Sequence, residues 1–122
     1  MATGTIPNIG FESGNDGNGN YYFKSPDGTL ICWGIFNIAQ ATWATPSTLG
    51  SVYGTSCDPN VTFAHAFYST PSVSATSVDN AVPTARIAPT TTKINLIWIW
   101  RHVNSKPPAG DWQYIAVGRW KA

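Results

Sequence analysis

Thr91-Thr-Lys-Ile-Asn-Leu-Ile-Trp-Ile-Trp-Arg101 and, after a turn, Asp111-Trp-Gln-Tyr-Ile-Ala-Val-Gly-Arg-Trp120 decide the fold class. In the first segment Thr92, Ile94, Leu96, Trp98 and Trp100 alternate with Lys93, Asn95, Ile97, Ile99 and Arg101. A two-residue period marks a β-strand with one face in a core. The segment is dense in β-branched and aromatic residues and contains no Ala, Glu or Met, so a helix does not fit. Trp100 falls in step with the core-facing set. The opposite face turns from polar (Lys93, Asn95) to apolar (Ile97, Ile99), as where a strand meets a covering loop or another subunit. In the second segment Trp112, Tyr114, Ala116, Gly118 and Trp120 share one side, and Gln113, Ile115 and Val117 the other. With Ser105–Gly110 as its long tip, the pair is predicted to form an antiparallel hairpin. It carries four of the six tryptophans.

Composition bounds the remainder. A chain of 122 residues suits one domain with a modest core. Only 11% of residues are charged, Glu12 is the one glutamate, and Thr, Ser, Gly, Pro and aromatics abound. That is the profile of an all-β protein with many turns. The net charge of +1, with the seven Lys and Arg scattered, argues against a nucleic-acid partner. No apolar run reaches the ~18 residues of a membrane span. Met1–Thr5 has no signal-peptide pattern, and the start could equally be an internal boundary of a longer protein. Cys32 sits in an apolar run and Cys57 in a loop; without a secretion signal both are expected as free thiols. No zinc-ligand spacing occurs, and no cofactor is expected.

In chain order, residues 1–20 read as a flexible segment, with the polar run Gly14–Asn20 as its loosest part. Tyr21–Lys24 is a short strand, Ser25-Pro-Asp-Gly28 a turn, and Thr29–Ile38 a central strand in which Gly34 marks a bulge or a close backbone approach. Ala39–Asn60 reads as a long connection, part of which could pair as an extra hairpin. Val61–Phe67 alternates strictly and predicts a strand with Val61, Phe63, His65 and Phe67 on one face. Ser72–Val78 and Thr84–Ala88 are further strands, separated by an Asp79-Asn80 turn. About seven strands at this spacing predict a small antiparallel β-sandwich over residues 21–122.

Three motifs in order carry a resemblance over residues 21–121. Ser25-Pro-Asp-Gly-Thr-Leu-Ile-Cys-Trp-Gly34 resembles the opening motif of C-terminal domains of phage and prophage tail-fibre proteins. Val61–Val73 and the closing Tyr114-Ile-Ala-Val-Gly-Arg-Trp-Lys121 resemble the segments that follow it. The last two are also similar to H-type lectins, which are small trimeric β-sandwiches that bind sugars near subunit boundaries. Tyr114 stands where the closing motif usually has Trp, and the Lys106–Gly110 tip differs from that of the lectins. The resemblance implies a homotrimeric domain at a virion's fibre tip, made in the bacterial cytoplasm. Residues 1–20 would lead to the fibre shaft. Its partner would be a bacterial surface polysaccharide or other glycan, bound without turnover. A structural trimerisation cap is the competing expectation, and a secreted animal-type lectin is a third, disfavoured by the opening motif.

The candidate sugar contacts are Trp43, Tyr53, Arg86, Trp100, Arg101, His102 and Asp111. Trp43 and Tyr53 would either stack on a sugar ring or plug the sandwich end. Trp100 would serve the core or a sugar. Arg101 and Arg86 would hold hydroxyls or a carboxylate, or sit at a solvated rim. His102 would sense pH or be a plain surface residue. Asp111 would accept from paired hydroxyls or cap its turn. His65 reads as a core or interface histidine, or as an ion ligand if repeated about a trimer axis. Catalysis is not expected. The five aspartates fall in turns or loops, and no nucleophile elbow or phosphate-cradling loop occurs.

Overall fold

The computed structural model describes residues 11–37, 42–43, 47–49, 52–77, 81–85, 87–101 and 111–122. Among them are ten strands and no helix: β1 (Glu12–Asn15), β2 (Asn20–Lys24), β3 (Thr29–Asn37), β4 (Thr42–Trp43), β5 (Ser47–Leu49), β6 (Val52–Asp58), β7 (Ser72–Thr76), β8 (Val82–Ala85), β9 (Ile97–Arg101) and β10 (Asp111–Arg119). They form two antiparallel sheets. The first has the order β1-β2-β3-β10-β7. The second is built on β6, β9 and β8, with the short β4 and β5 both paired to β6.

The longest strands, β3 and β10, pair along their full nine residues, from Asn37↔Asp111 to Thr29↔Arg119. Their alternation sends Leu30, Cys32 and Phe36, and opposite them Trp112, Tyr114 and Ala116, into one core with Cys57, Ile97 and Ile99 of the second sheet. Leu30, Ile99 and Trp112 are fully buried, and each contributes about 1.5–3 kcal/mol relative to exposure. Val61, Phe63, Phe67 and Ile94 complete the core. The central β3 and the two sides of the closing strand are as the sequence predicts.

The Ser25–Gly28 turn is held by a bond from the Ser25 hydroxyl to Asp27 and by Thr29 N donating to Asp27 Oδ1 (2.9 Å). The C-terminus clasps this turn. Trp120 donates through Nε1 to Ser25 O (2.7 Å) and through its amide to Gly28 O (2.9 Å), and Arg119 Nη2 donates to Asp27 O (2.8 Å).

Several expectations are corrected. The two terminal strands form no hairpin: β9 lies between β6 and β8, while β10 lies between β3 and β7 of the other sheet. The first of them begins only at Ile97, and its faces are reversed. Ile97 and Ile99 are buried, whereas Trp98 and Trp100 are half-buried on the outer side. The segment before it is irregular, tied by Thr90 hydroxyl bonds and an isolated Thr62↔Lys93 bridge, so the period is lost between Ile94 and Ile97. Val61–Phe67 buries its apolar residues as expected but is not a strand. It meets the chain through isolated bonds such as Phe63 N to Thr92 O (2.9 Å) and Ile94 N to Val61 O (3.1 Å). His65 is half-buried there, its ring 5.0 Å from that of Tyr22. The long connection contains the central strand β6, and Cys57 lies within it. The strand expected over Thr84–Ala88 runs instead over Val82–Ala85, as β8, and Asp79-Asn80 lies outside the described residues. Of the segment read as flexible, residues 1–10 lie outside the described residues, Gly14 and Asn15 end the edge strand β1, and 16–19 form the turn into β2.

Both cysteines are free and buried. Burial pushes the Cys32 thiol up to about 11 and that of Cys57 to about 12, which leaves both protonated at neutral pH.

Two stability predictions follow from this packing. A Cβ on Gly34 would stand 2.6 Å from Gly19 O and 2.8 Å from Asn20 Oδ1. Gly34→Ala should therefore destabilise by about 1–3 kcal/mol in urea unfolding, and an unchanged midpoint would refute this close approach. The second concerns acid. The Ser25 hydroxyl and then the Thr29 amide hold the Asp27 carboxyl at about 2. A depressed folded value gives stability that is full above pH ~4 and lost as pH falls toward 2. The urea midpoint of Asp27→Asn should lie below wild type at pH 7 and approach it as pH falls through about 2; a constant gap would disprove the assignment.

Candidate functional site

A cleft of about 620 Å³ opens at the end of the first sheet where β3 finishes and β10 begins. Three pieces of chain meet there: the β1–β2 turn (Asp16, Asn18, Asn20), the facing strand ends (Asn37, Asp111), and the segment leaving β6 (Pro59 to Thr62). Each is positioned by local chemistry. Asp16 Oδ1 accepts from Asn18 N (2.7 Å) and Asn20 N (3.2 Å), and Asp16 Oδ2 accepts from Asn20 Nδ2 (2.7 Å). Gly17 and Gly19, at φ +78° and +86°, supply the left-handed conformations that let the chain reverse in so few residues. Asn60, at φ 57°, makes the corresponding bend after β6, and its amide donates to Asp58 Oδ1 (2.9 Å). Asn37 and Asp111 are direct partners in the β3–β10 register.

The turn is anchored to the core. Tyr114, almost fully buried, donates its hydroxyl to Asn20 Oδ1 at 2.6 Å. Desolvation, with lesser contributions from Cys32 and Asp16, pushes that phenol far above its ordinary value, so it is fixed as a donor. Asn20 thereby links Asp16 to Tyr114 through both ends of its amide. Desolvation pushes the Asp16 carboxyl up, but the hydrogen bonds from Asn18 and Asn20 together outweigh it and hold it below the usual value. It is ionised at neutral pH.

The lining is rich in amides and carboxylates, and no Lys or Arg lines it among the described residues. Lys93 lies close by, 3.8 Å from Asp58. Amide groups can donate and accept at once, and an ionised carboxylate only accepts. Phe36, Pro59 and Val61 supply an apolar floor. Such a surface suits a neutral polyhydroxylated ligand, whose hydroxyls need both kinds of partner and whose ring carries apolar C–H patches.

Of the predicted contacts among the described residues, only Asp111 lines this cleft. Tyr53 and Arg101 are register partners across β6 and β9, but at the opposite end of β6 from Pro59, roughly 20 Å away at strand rise. Trp100 lies on the other face of β9. Its ring covers Gly54, stands 5.2 Å from that of Trp98, and its Nε1 donates to Thr84 Oγ1 (2.9 Å). That arrangement is structural in character and is not the core position expected. The backbone of Trp43 pairs with Cys57. Arg86 and His102 lie outside the described residues. Asp16, Asn18, Asn20, Asn37, Asn60 and Thr62 were missed by sequence reasoning. The usable signal was Asx residues alternating with Gly between two strand-like segments, which is turn chemistry.

A second, smaller crevice of about 230 Å³ lies between the edges β7 and β8, floored by Phe36, Ile94 and Ile97. It is mostly apolar and offers little to a sugar.

The chain matches no protein-family model, no curated protein and no solved structure.

Tyr114→Phe should cost about 1 kcal/mol of stability and unlock Asn20, because Asn20 Oδ1 loses its donor without any change in shape. Amide exchange of Asn18 and Asn20 should quicken relative to the β3–β10 core. Equal exchange in both proteins would show that the phenol does not hold the turn.

Proposed function

We propose that this chain is a non-catalytic glycan-binding module, the homotrimeric tip domain of a phage or prophage tail fibre that adheres to a bacterial surface polysaccharide. The observation that carries the reading is the cleft of amides and carboxylates around Asp111. Two antiparallel sheets with no helix among the described residues support the all-β sandwich that the resemblance implies, although of the candidate contacts among those residues only Asp111 lines the cleft. Three clefts on one particle would convert weak single-site binding into firm attachment. Two carboxylates share this cleft, but hydrolysis needs one with a raised pKa to donate a proton, and Asp16 is shifted the opposite way.

A structural trimerisation cap is the second reading. The specific feature in its favour is the apolar outer face of the first sheet, where Tyr21, Trp33, Ile35, Ile115 and Val117 are all exposed.

Binding of the purified domain to bacterial cells and to extracted surface polysaccharides separates the two. Saturable binding to one strain, competed by its own polysaccharide and weakened about tenfold or more by Asp111→Ala, is the expected result. Neutral or amino-sugar polymers should compete better than uronic-acid polymers, because the two carboxylates repel anions. A folded protein that binds nothing would favour the cap, and full affinity retained by Asp111→Ala would place recognition outside the cleft.

A further inference from the structure

The outer face of the first sheet is the largest feature that the cleft does not use. In the observed register Phe23, Ile31 and Val117 form one row across β2, β3 and β10, and Tyr21, Trp33 and Ile115 form the next. Tyr21 and Trp33 stack, with ring centroids 5.9 Å apart. Phe11 extends the first row by contact with Phe23 (5.9 Å), and Ile35 follows the second. Serines border the rows on both sides, Ser13 on β1 and Ser72 and Ser74 on β7. Between the Thr29↔Arg119 pair and the Asn37↔Asp111 pair, this face carries no Lys, Arg, Asp or Glu.

Seven of these side chains (Phe11, Tyr21, Phe23, Trp33, Ile35, Ile115 and Val117) are 37–49% exposed. At roughly 200 Å² for a fully exposed large apolar side chain, they present on the order of 600 Å². That is at the upper end of what a lone soluble domain shows. With its serine margins it approaches the ~800 Å² that each partner gives to a stable interface. In a monomer the outward-facing Ile and Val gain only cross-strand contacts, since the core lies on the other side of the sheet.

We infer that this face is the self-association surface of the protein and that its occupant is a second copy of the same chain. This rests on the trimeric reading above and locates it. A flat face without charge excludes partners that bind through ionic complementarity. Turned toward a three-fold axis, the same face of each copy brings identical apolar rows, so no copy buries an unpaired charge.

The test is sedimentation equilibrium of the full chain beside the double variant Ile115→Lys, Val117→Lys, with the strand circular-dichroism spectrum as the fold control. Both positions face solvent in the monomer, so the variant should keep the spectrum and sediment as 13.1 kDa, while wild type sediments as three times that mass. Should the lysines impair folding, Ile115→Thr with Val117→Thr keeps the β-branching and should weaken association at least tenfold. A wild-type dimer abolished by either variant supports the face and removes the trimeric reading. Trimers in wild type and variants alike overturn the face and leave that reading standing. A wild-type monomer at about 100 μM overturns both.

Discussion

The antiparallel ladder between β3 and β10 is the constraint on which the remainder depends. It joins residues 74 to 90 positions apart, from Asn37↔Asp111 to Thr29↔Arg119, and its nine pairs fix at once which side chains enter the core and which face outward. A slip of one residue would send Trp112, Tyr114 and Ala116 out and bring Gln113, Ile115 and Val117 in. Both ends of the ladder are secured by contacts outside it. At one end Trp120 and Arg119 bond the carbonyls of the Ser25–Gly28 turn, with Lys24 and Lys121 against the Trp120 ring. At the other, Gly34 lets the β1–β2 turn approach closely enough for Tyr114 to reach Asn20. The cleft is thus an outgrowth of the ladder: its turn is fastened to a core tyrosine, and two of its walls are the ladder's last pair.

The second sheet is held differently. Its centre, β6, is a polar-looking strand in which Thr55 and Ser56 are buried beside Cys57. It gains its apolar contacts from β9, where Ile97 and Ile99 face the core and the two tryptophans cover the outside. Gly54 is required because the Trp100 ring lies where a side chain would stand. The chain between the sheets packs by isolated bonds and large side chains, which seals the core without adding strands.

What was legible in the sequence follows this division. Class, the central strand, the faces of the closing strand and the buried Cys32 could all be read, because long apolar and alternating runs leave few solutions. Topology could not. A hairpin between the two terminal segments satisfies every local rule, and only packing decides that they belong to different sheets. The face of β9 was misjudged because alternation was carried through Ile94–Ile97, where the backbone is irregular. Val61–Phe67 shows the converse: its side chains alternate in burial while its backbone makes no ladder. The cleft was hardest to foresee. Its residues are Asn and Asp of turns, which in sequence are indistinguishable from flexible linker, and their convergence depends on the register of strands far apart in the chain.

The two surfaces assigned here are geometrically coupled. Asn37 and Asp111 are the next outward pair along β3 and β10 after Ile35 and Gln113, and Ile35 lines the cleft as well as the apolar face. In the proposed assembly the apolar rows are covered and the cleft stays at their margin, so each cleft opens close to a subunit boundary. The polar wall is mostly made within one chain, through Asp16, Asn20 and Tyr114. A monomer would therefore retain a formed cleft but lose multivalency. Charge reinforces the separation: the carboxylates of Asp16 and Asp111 stand outside the rows, so assembly need not desolvate them.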